Sequence, residues 1–169
     1  MDNSKFDVCS SYPEEFVSFE MFADTFYKQI GSFRARSRLP LLSAYYANDH
    51  KKVGFVTFWR CSQPHVGFFK KRNFLDEYFV QIVGNPDKKL TLDQYMRAKG
   101  NVKCQTDVHI YDMRGKNAVM GNKLQGKGSE DSGYYANASL FFSNIPNIHK
   151  VRDSFNSMMT ILNRYSLHL

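Results

Sequence analysis

Residues 112–155 read DMRGKNAVMGNKLQGKGSEDSGYYANASLFFSNIPNIHKVRDSF, and this stretch decides the fold. Just before it, residues 108–111 form a short apolar strand that Asp112 ends. A short helix is predicted next, running up to the glycines Gly126 and Gly128, and residues 138–142 read as a second strand. A long amphipathic helix closes the stretch. Its apolar face is Ile148, Val151, Phe155, Met158, Met159 and Leu162, and Asn147 is its expected cap. Strand and helix alternate, which is the pattern of an α/β layer.

The upstream sequence continues that pattern. Phe22, Phe26, Ile30 and Phe33 recur at helical spacing and predict a helix over residues 19–33. Residues 39–46 and 53–60 read as strands around the turn signal Asn48-Asp49-His50. Leu75, Tyr78, Phe79 and Ile82 mark another helical face that stops at Gly84-Asn85-Pro86. Thr91 with Gln94 three residues later is a capping-box signature, so a short helix is expected as far as about Lys99.

With 43% hydrophobic and 15% aromatic residues, the 169-residue chain has the material for one folded domain with a ring-rich core, and it is not a disordered segment. A net charge of +7 favours anionic partners without choosing among them. Cys9, Cys61 and Cys104 are widely spaced, contain no Cys-x-x-Cys pair and predict no metal site. They are expected to be reduced thiols that behave as small core residues. The first residues, MDNSKFDVCSS, lack the apolar core of a signal peptide, and no apolar run reaches membrane-spanning length. The basic groups Arg34/Arg36/Arg38 and Lys70/Lys71/Arg72 read as solvated faces able to meet acidic lipid. The sequon Asn137-Ala138-Ser139 is expected to go unused.

Four segments in order carry a resemblance: CSSYP (9–13), FRARSRLPLLS (33–43), RCSQPHVG (60–67) and the 112–155 stretch. Together they resemble the part of a myotubularin phosphatase domain that precedes its catalytic loop. The resemblance runs from Cys9 to about Leu162, with residues 84–103 reading as a lysine-rich insertion. It implies a single partial cysteine-phosphatase-like domain over residues 1–169, of α/β class, with a mixed sheet flanked by helices. The family removes the 3-phosphate from phosphatidylinositol 3-phosphate and 3,5-bisphosphate. A thiolate attacks phosphorus while a loop arginine holds the oxygens. Neither a cofactor nor a metal is implied.

The implied substrate contacts are Asn122 and Lys123, beside the glycines, and Asn147 and Ile148, which match the family's inositol-contacting Asn-Ile. Asn147 can equally cap the helix that starts there. The implied partners are phosphoinositide head groups or an acidic membrane surface, together with homo- or hetero-association with a related phosphatase. The implied location is cytoplasmic, peripheral on endosomal membranes. Nucleic acid is not an expected partner.

The nucleophile motif of the family, His-Cys-Ser-Asp-Gly-Trp-Asp-Arg-Thr, is expected some tens of residues further on, and Leu169 is reached first. Such phosphatases need an arginine six positions after the cysteine, so that one turn grips the phosphate. Here Glu15, Gly67 and Ile110 occupy those positions after Cys9, Cys61 and Cys104. The expectation is therefore a truncated, catalytically inactive relative that exposes an apolar patch and a strand edge, and so depends on a partner or on itself. The alternative is one part of an active phosphatase completed by sequence outside this chain.

Two further motifs compete. Gly121 to Lys127 approaches a nucleotide-binding G-x-x-x-x-G-K, but Gly128 replaces the hydroxyl residue and the preceding segment reads as helix, so a glycine-rich surface loop is expected. Lys51 to Phe58 resembles the RNP1 strand of an RNA-recognition motif, with Phe55 and Phe58 as stacking rings. No companion strand precedes it, and an aromatic-rich strand matching by chance is the better account.

Overall fold

Two helices, α1 (Asp24–Phe33) and α2 (Phe74–Val83), pack together in the computed structural model, which describes residues 1–47, 55–85, 90–100, 102 and 106–166. Their contact is made of rings. Phe79 is fully buried and sits within 6.5 Å, centroid to centroid, of Phe19, Phe22, Phe26, Tyr27 and Trp59. Phe19, Tyr27 and Trp59 meet it edge-on, as ring quadrupoles favour, while Phe22 and Phe26 are tilted against it. α1 starts at Asp24, five residues later than its periodicity predicts. Phe19 and Phe22 are instead held in a turn by the Tyr27 hydroxyl, which donates to the Phe19 carbonyl at 2.5 Å. Phe22 still stacks on Phe26 at 4.0 Å.

β1 (Leu41–Ala47) and β2 (Phe55–Arg60) form an antiparallel ladder, with an irregularity between Leu42 and Ala44. The expected turn at residues 48–50 lies outside the described residues. β3 (Val108–Asp112) and β4 (Ala138–Phe142) pair in parallel from Val108↔Ala138 to Asp112↔Phe142, joined through α4 (Lys116–Leu124). The α/β class and mixed pairing are thus present, divided among the described residues between two two-stranded sheets.

α3 (Leu92–Arg97) forms with the anticipated reciprocal cap: Gln94 N donates to Thr91 Oγ1 at 3.2 Å and Thr91 N to Gln94 Oε1 at 3.0 Å. Tyr95 seals it onto Tyr78. The chain leaves α3 through Gly100 in the left-handed region, at φ +77°, where a side chain would be strained. The last helix, α5 (Ile148–Ser166), is capped by Asn147, whose Oδ1 accepts from Lys150 N at 3.0 Å.

Burial is unevenly distributed. Residues 76–82 of α2 are all buried, whereas every residue from 143 to 165 is exposed. Asn137, the sequon asparagine, is buried. No helix among the described residues is long and apolar enough to cross a membrane.

Candidate functional site

α2 presents two carboxylates, Asp76 and Glu77, on a helix whose other residues from 78 to 82 are buried and largely apolar. A buried charge must find a partner or neutralise. Asp76 finds Arg34. The guanidinium grips it with a two-point fork, Nε to Oδ1 at 2.7 Å and Nη2 to Oδ2 at 2.6 Å. Arg34 Nη1 reaches Glu130, the Ser62 carbonyl at 2.9 Å and the Cys61 sulfur at 3.5 Å, while Tyr135 donates its hydroxyl to Asp76 at 2.6 Å. Desolvation opposes the charge on Arg34, but Asp76, Cys61 and Glu130 together outweigh it and hold its pKa well above the usual arginine range. Arg34 is only 1% exposed, which corrects the reading of Arg34/Arg36/Arg38 as one solvated face. Glu77 is buried in the same way under Arg72, whose guanidinium also lies 4.0 Å from the Tyr134 ring centroid.

Around this ionic knot the separate motif segments meet. Ala35 N donates to Gln63 O at 3.0 Å and His65 N to Phe33 O at 2.7 Å, joining residues 33–43 to 60–67. Tyr12 binds the Leu39 carbonyl at 2.7 Å and Arg38 Nε binds Ser11 Oγ at 2.8 Å, which brings in residues 9–13. Gly67 N donates to Lys127 O at 3.2 Å, which brings in the glycine-rich loop. At the C-terminal end of β3, Arg114 forks onto Asp112 at 2.9 and 2.6 Å and also bonds Gln63 and the Gly128 carbonyl.

Between these segments lies a cleft of roughly 530 Å³, lined among others by Arg36, Arg38, His65, Asp112, Arg114 and Lys127. Both of its carboxylates are ion-paired, Asp112 with Arg114 and Glu130 with Arg34, which also holds Asp76. Arg36 and Ser37 sit in left-handed backbone at φ 57° and 55°, sparsely populated for non-glycine residues.

Cys61 opens onto this cleft and is exposed, not a core residue as expected. Cys9 is buried as expected, and Cys104 lies outside the described residues. The Cys61 thiol is nevertheless turned onto Arg34. Desolvation pushes its pKa up to about 11, with Glu130, Asp76 and Asp112 adding to the rise against the lowering by Arg34. A thiol in that state is a poor nucleophile near neutral pH.

The residues implied as substrate contacts lie on α4 and at the start of α5, outside the cleft. Asn122 and Lys123 lie on α4, where the Asn122 amide donates back to Ala118 O at 2.8 Å. Asn147 is occupied as a helix cap, and Ile148 is 73% exposed at the start of α5. None of the four lines the cleft. Gly121 to Leu124 fall inside α4, so the G-x-x-x-x-G-K segment is helix in its first half and only residues from Gln125 on form the expected loop; no strand leads directly into it. Phe55 and Phe58 stand three residues apart on β2 and so face opposite sides. With only two strands in that sheet, the RNA-binding platform is absent among the described residues.

Sequence reading overlooked the Arg34–Asp76–Glu130 knot. The available signal was the Asp76-Glu77 pair inside FLDEYFVQIV, two carboxylates where apolar periodicity demands burial.

A family profile for the myotubularin-like phosphatase domain matches residues 1–168. The chain is 30% identical over 160 residues to phosphatidylinositol-3,5-bisphosphate 3-phosphatase MTMR2 of Pongo abelii, covering 95% of this chain and 22% of that protein. It is 31% identical over 163 residues to myotubularin of Xenopus tropicalis, covering 95% and 23%. It is also 31% identical over 163 residues to phosphatidylinositol-3-phosphatase myotubularin-2 of Arabidopsis thaliana, covering 96% and 18%. The chain thus spans less than a quarter of the length of these relatives.

Proposed function

The chain belongs to the myotubularin-like phosphatase domain family, and from that premise we propose that it is a phosphoinositide-facing part of such a domain with no turnover of its own. The observation that supports this is the state of its thiols. No cysteine in the sequence has an arginine six positions on. Cys61, the one thiol beside a guanidinium among the described residues, is held protonated. The names of the relatives point to phosphoinositides bearing a 3-phosphate as the ligand class. Asn122, Lys123, Asn147 and Ile148 are proposed to contact the head group once further protein closes over α4 and α5. A cytoplasmic protein resting on an endosomal membrane fits this ligand, as does pairing with a related phosphatase. Residues 84–103 are proposed as an insertion relative to the family.

A second reading, part of an active enzyme, is favoured by the bare apolar stripe of α5, which calls for more protein against it. One experiment separates the two. The chain is incubated with phosphatidylinositol 3-phosphate alone, then with a family segment carrying the Cys-Ser-Asp-Gly-Trp-Asp-Arg loop. The expected result is no phosphate release from the chain alone; turnover or a trapped phosphocysteine would refute inactivity. Release only after addition supports the second reading.

The thiol can be titrated in the same samples. A thiol whose folded pKa is raised keeps its proton longer in the folded chain than in the unfolded one. Between the ordinary value of 9.0 and about 11, folded stability therefore falls as pH rises. Alkylation of Cys61 should follow an apparent pKa near 11, and a midpoint near 9 would show the thiol free of the knot.

A further inference from the structure

We propose that the cleft between Arg36, Arg38 and Lys127 is a binding site for a doubly charged tetrahedral oxyanion, a phosphate or phosphomonoester, distinct from the head-group contacts assigned to Asn122 and Asn147. The charges favour an anionic partner. Arg114 with Asp112 is neutral, and Arg34 with Asp76 and Glu130 carries one net negative charge. Arg36, Arg38 and Lys127 add three positive charges, leaving the cleft and its wall at +2.

Among the described residues none of these three cations meets a carboxylate. Arg38 spends Nε on Ser11 Oγ, and Lys127 makes only a long contact of 3.4 Å to Gln125. The cleft of roughly 530 Å³ has ample room for an inorganic anion or a sugar phosphate.

Geometry narrows the class. The donors come from separate elements: two guanidinium groups on the 3-10 turn Ala35–Ser37 and just after it, an ammonium on the glycine-rich loop, and His65 on the segment between them. A planar carboxylate is satisfied by one guanidinium fork, as Asp76 already shows. Donors placed on separate elements around one cleft suit an oxyanion with oxygens pointing in several directions. The left-handed pair Arg36 and Ser37 fixes that turn in a conformation side chains seldom adopt, and such strain gathers where a ligand is gripped. The buried knot behind it anchors the wall: Arg34 immediately precedes the turn, and Ser62 Oγ donates to Ala35 O at 2.7 Å.

The test is calorimetric titration of the full chain with sodium phosphate and with soluble inositol 1,3-bisphosphate. It is paired with co-sedimentation on phosphatidylcholine vesicles, with and without phosphatidylinositol 3-phosphate. The expected result is binding that R36A/R38A weakens by about tenfold or more and that added salt weakens. K150A/R152A, two cations on α5, leaves it unchanged. Retention with the soluble probes assigns the site to a free phosphate group. Binding confined to the doped vesicles, with the same loss in R36A/R38A alone, assigns it to the lipid head group.

No binding to any probe would overturn the proposal, as would equal loss in both double variants or unchanged affinity in R36A/R38A. If R36A/R38A loses the near-ultraviolet circular dichroism of the parent, K127A carries the same test. Asn122 and Asn147 belong to the head-group reading and not to this one, and the soluble phosphate probe tests this site without them, so either reading can fail without the other.

Discussion

Phe79 on α2 and Phe155 on α5 are both aromatic residues on the apolar face of an amphipathic helix. Phe79 has no exposed surface, whereas Phe155 is 54% exposed. The difference extends to the regions around them. Before Gly100 the chain ties its helices together with rings and a buried guanidinium. After Phe142 it offers rings and methionines to solvent. On the β3–β4 pair, His109, Tyr111 and Phe141 stack on one another at 5.3–6.5 Å across an exposed face. Along α5, Ile148, Val151, Met158 and Leu162 are all about half exposed or more. The same composition thus yields a finished core in one place and an interaction surface in the other.

The largest test of this contrast is energetic. Phe79→Ala is expected to destabilise the chain by about 3–5 kcal/mol, through lost burial and the cavity left behind. Arg34→Ala should cost a similar amount, about 3–5 kcal/mol, because it strands Asp76 and Glu130 as unpaired buried charges. Phe155→Ala should stay within about 0.5 kcal/mol, as surface substitutions do. Urea unfolding followed by near-ultraviolet circular dichroism reads all three. Equal shifts for Phe79 and Phe155 would mean that α5 is packed after all, and the contrast would vanish.

A smaller effect concerns what the bare surface does. The apolar stripe of α5 should make the chain associate with rising concentration, to a related phosphatase where one is present and to itself otherwise. Replacing Val151, Phe155 and Leu162 together with Glu should weaken self-association by at least about tenfold, since each carboxylate must otherwise be desolvated in the contact. Sedimentation velocity across a concentration series measures this. A triple variant that associates like the parent would place the sticky surface elsewhere, with the β1–β2 rings Tyr46 and Phe58 the next candidates.

What could be read in advance follows the same division. Local signals were legible: β4 forms over 138–142, the Thr91–Gln94 cap closes, and Asn147 caps α5. Each depends on residues a few positions apart, where periodicity and capping chemistry are sufficient. Long-range matters were not legible. Arg34 meets Asp76 across 42 positions and Glu130 across 96, and no spacing rule separates such a buried arginine from the solvated Arg36 two residues on. The start of α1 was misplaced for the same reason, since Phe19 answers to Tyr27 and Phe79 and not to its own helix. For the site, the motif segments could be ordered from sequence, but their convergence on one cleft rests on backbone bonds such as Gly67 to Lys127, which no local pattern announces.

The smallest predicted effect lies at the boundary between the two regions, where Asn147 has two possible roles. As a cap its Oδ1 satisfies Lys150 N, and Asn147→Ala should remove about 1 kcal/mol of support from the first turn of α5. Because every residue from 148 to 165 is exposed, that loss is expected as lower helicity and not as a shift in global unfolding. Asn147→Asp separates the roles. A carboxylate caps a helix as well as an amide does, so helicity should hold. It cannot donate to an inositol hydroxyl, however, and it repels a phosphate, so binding to phosphatidylinositol 3-phosphate vesicles should fall. If Asn147→Asp keeps both helicity and lipid binding, the asparagine is a cap and nothing more, and the head-group contact falls back on Asn122 and Lys123.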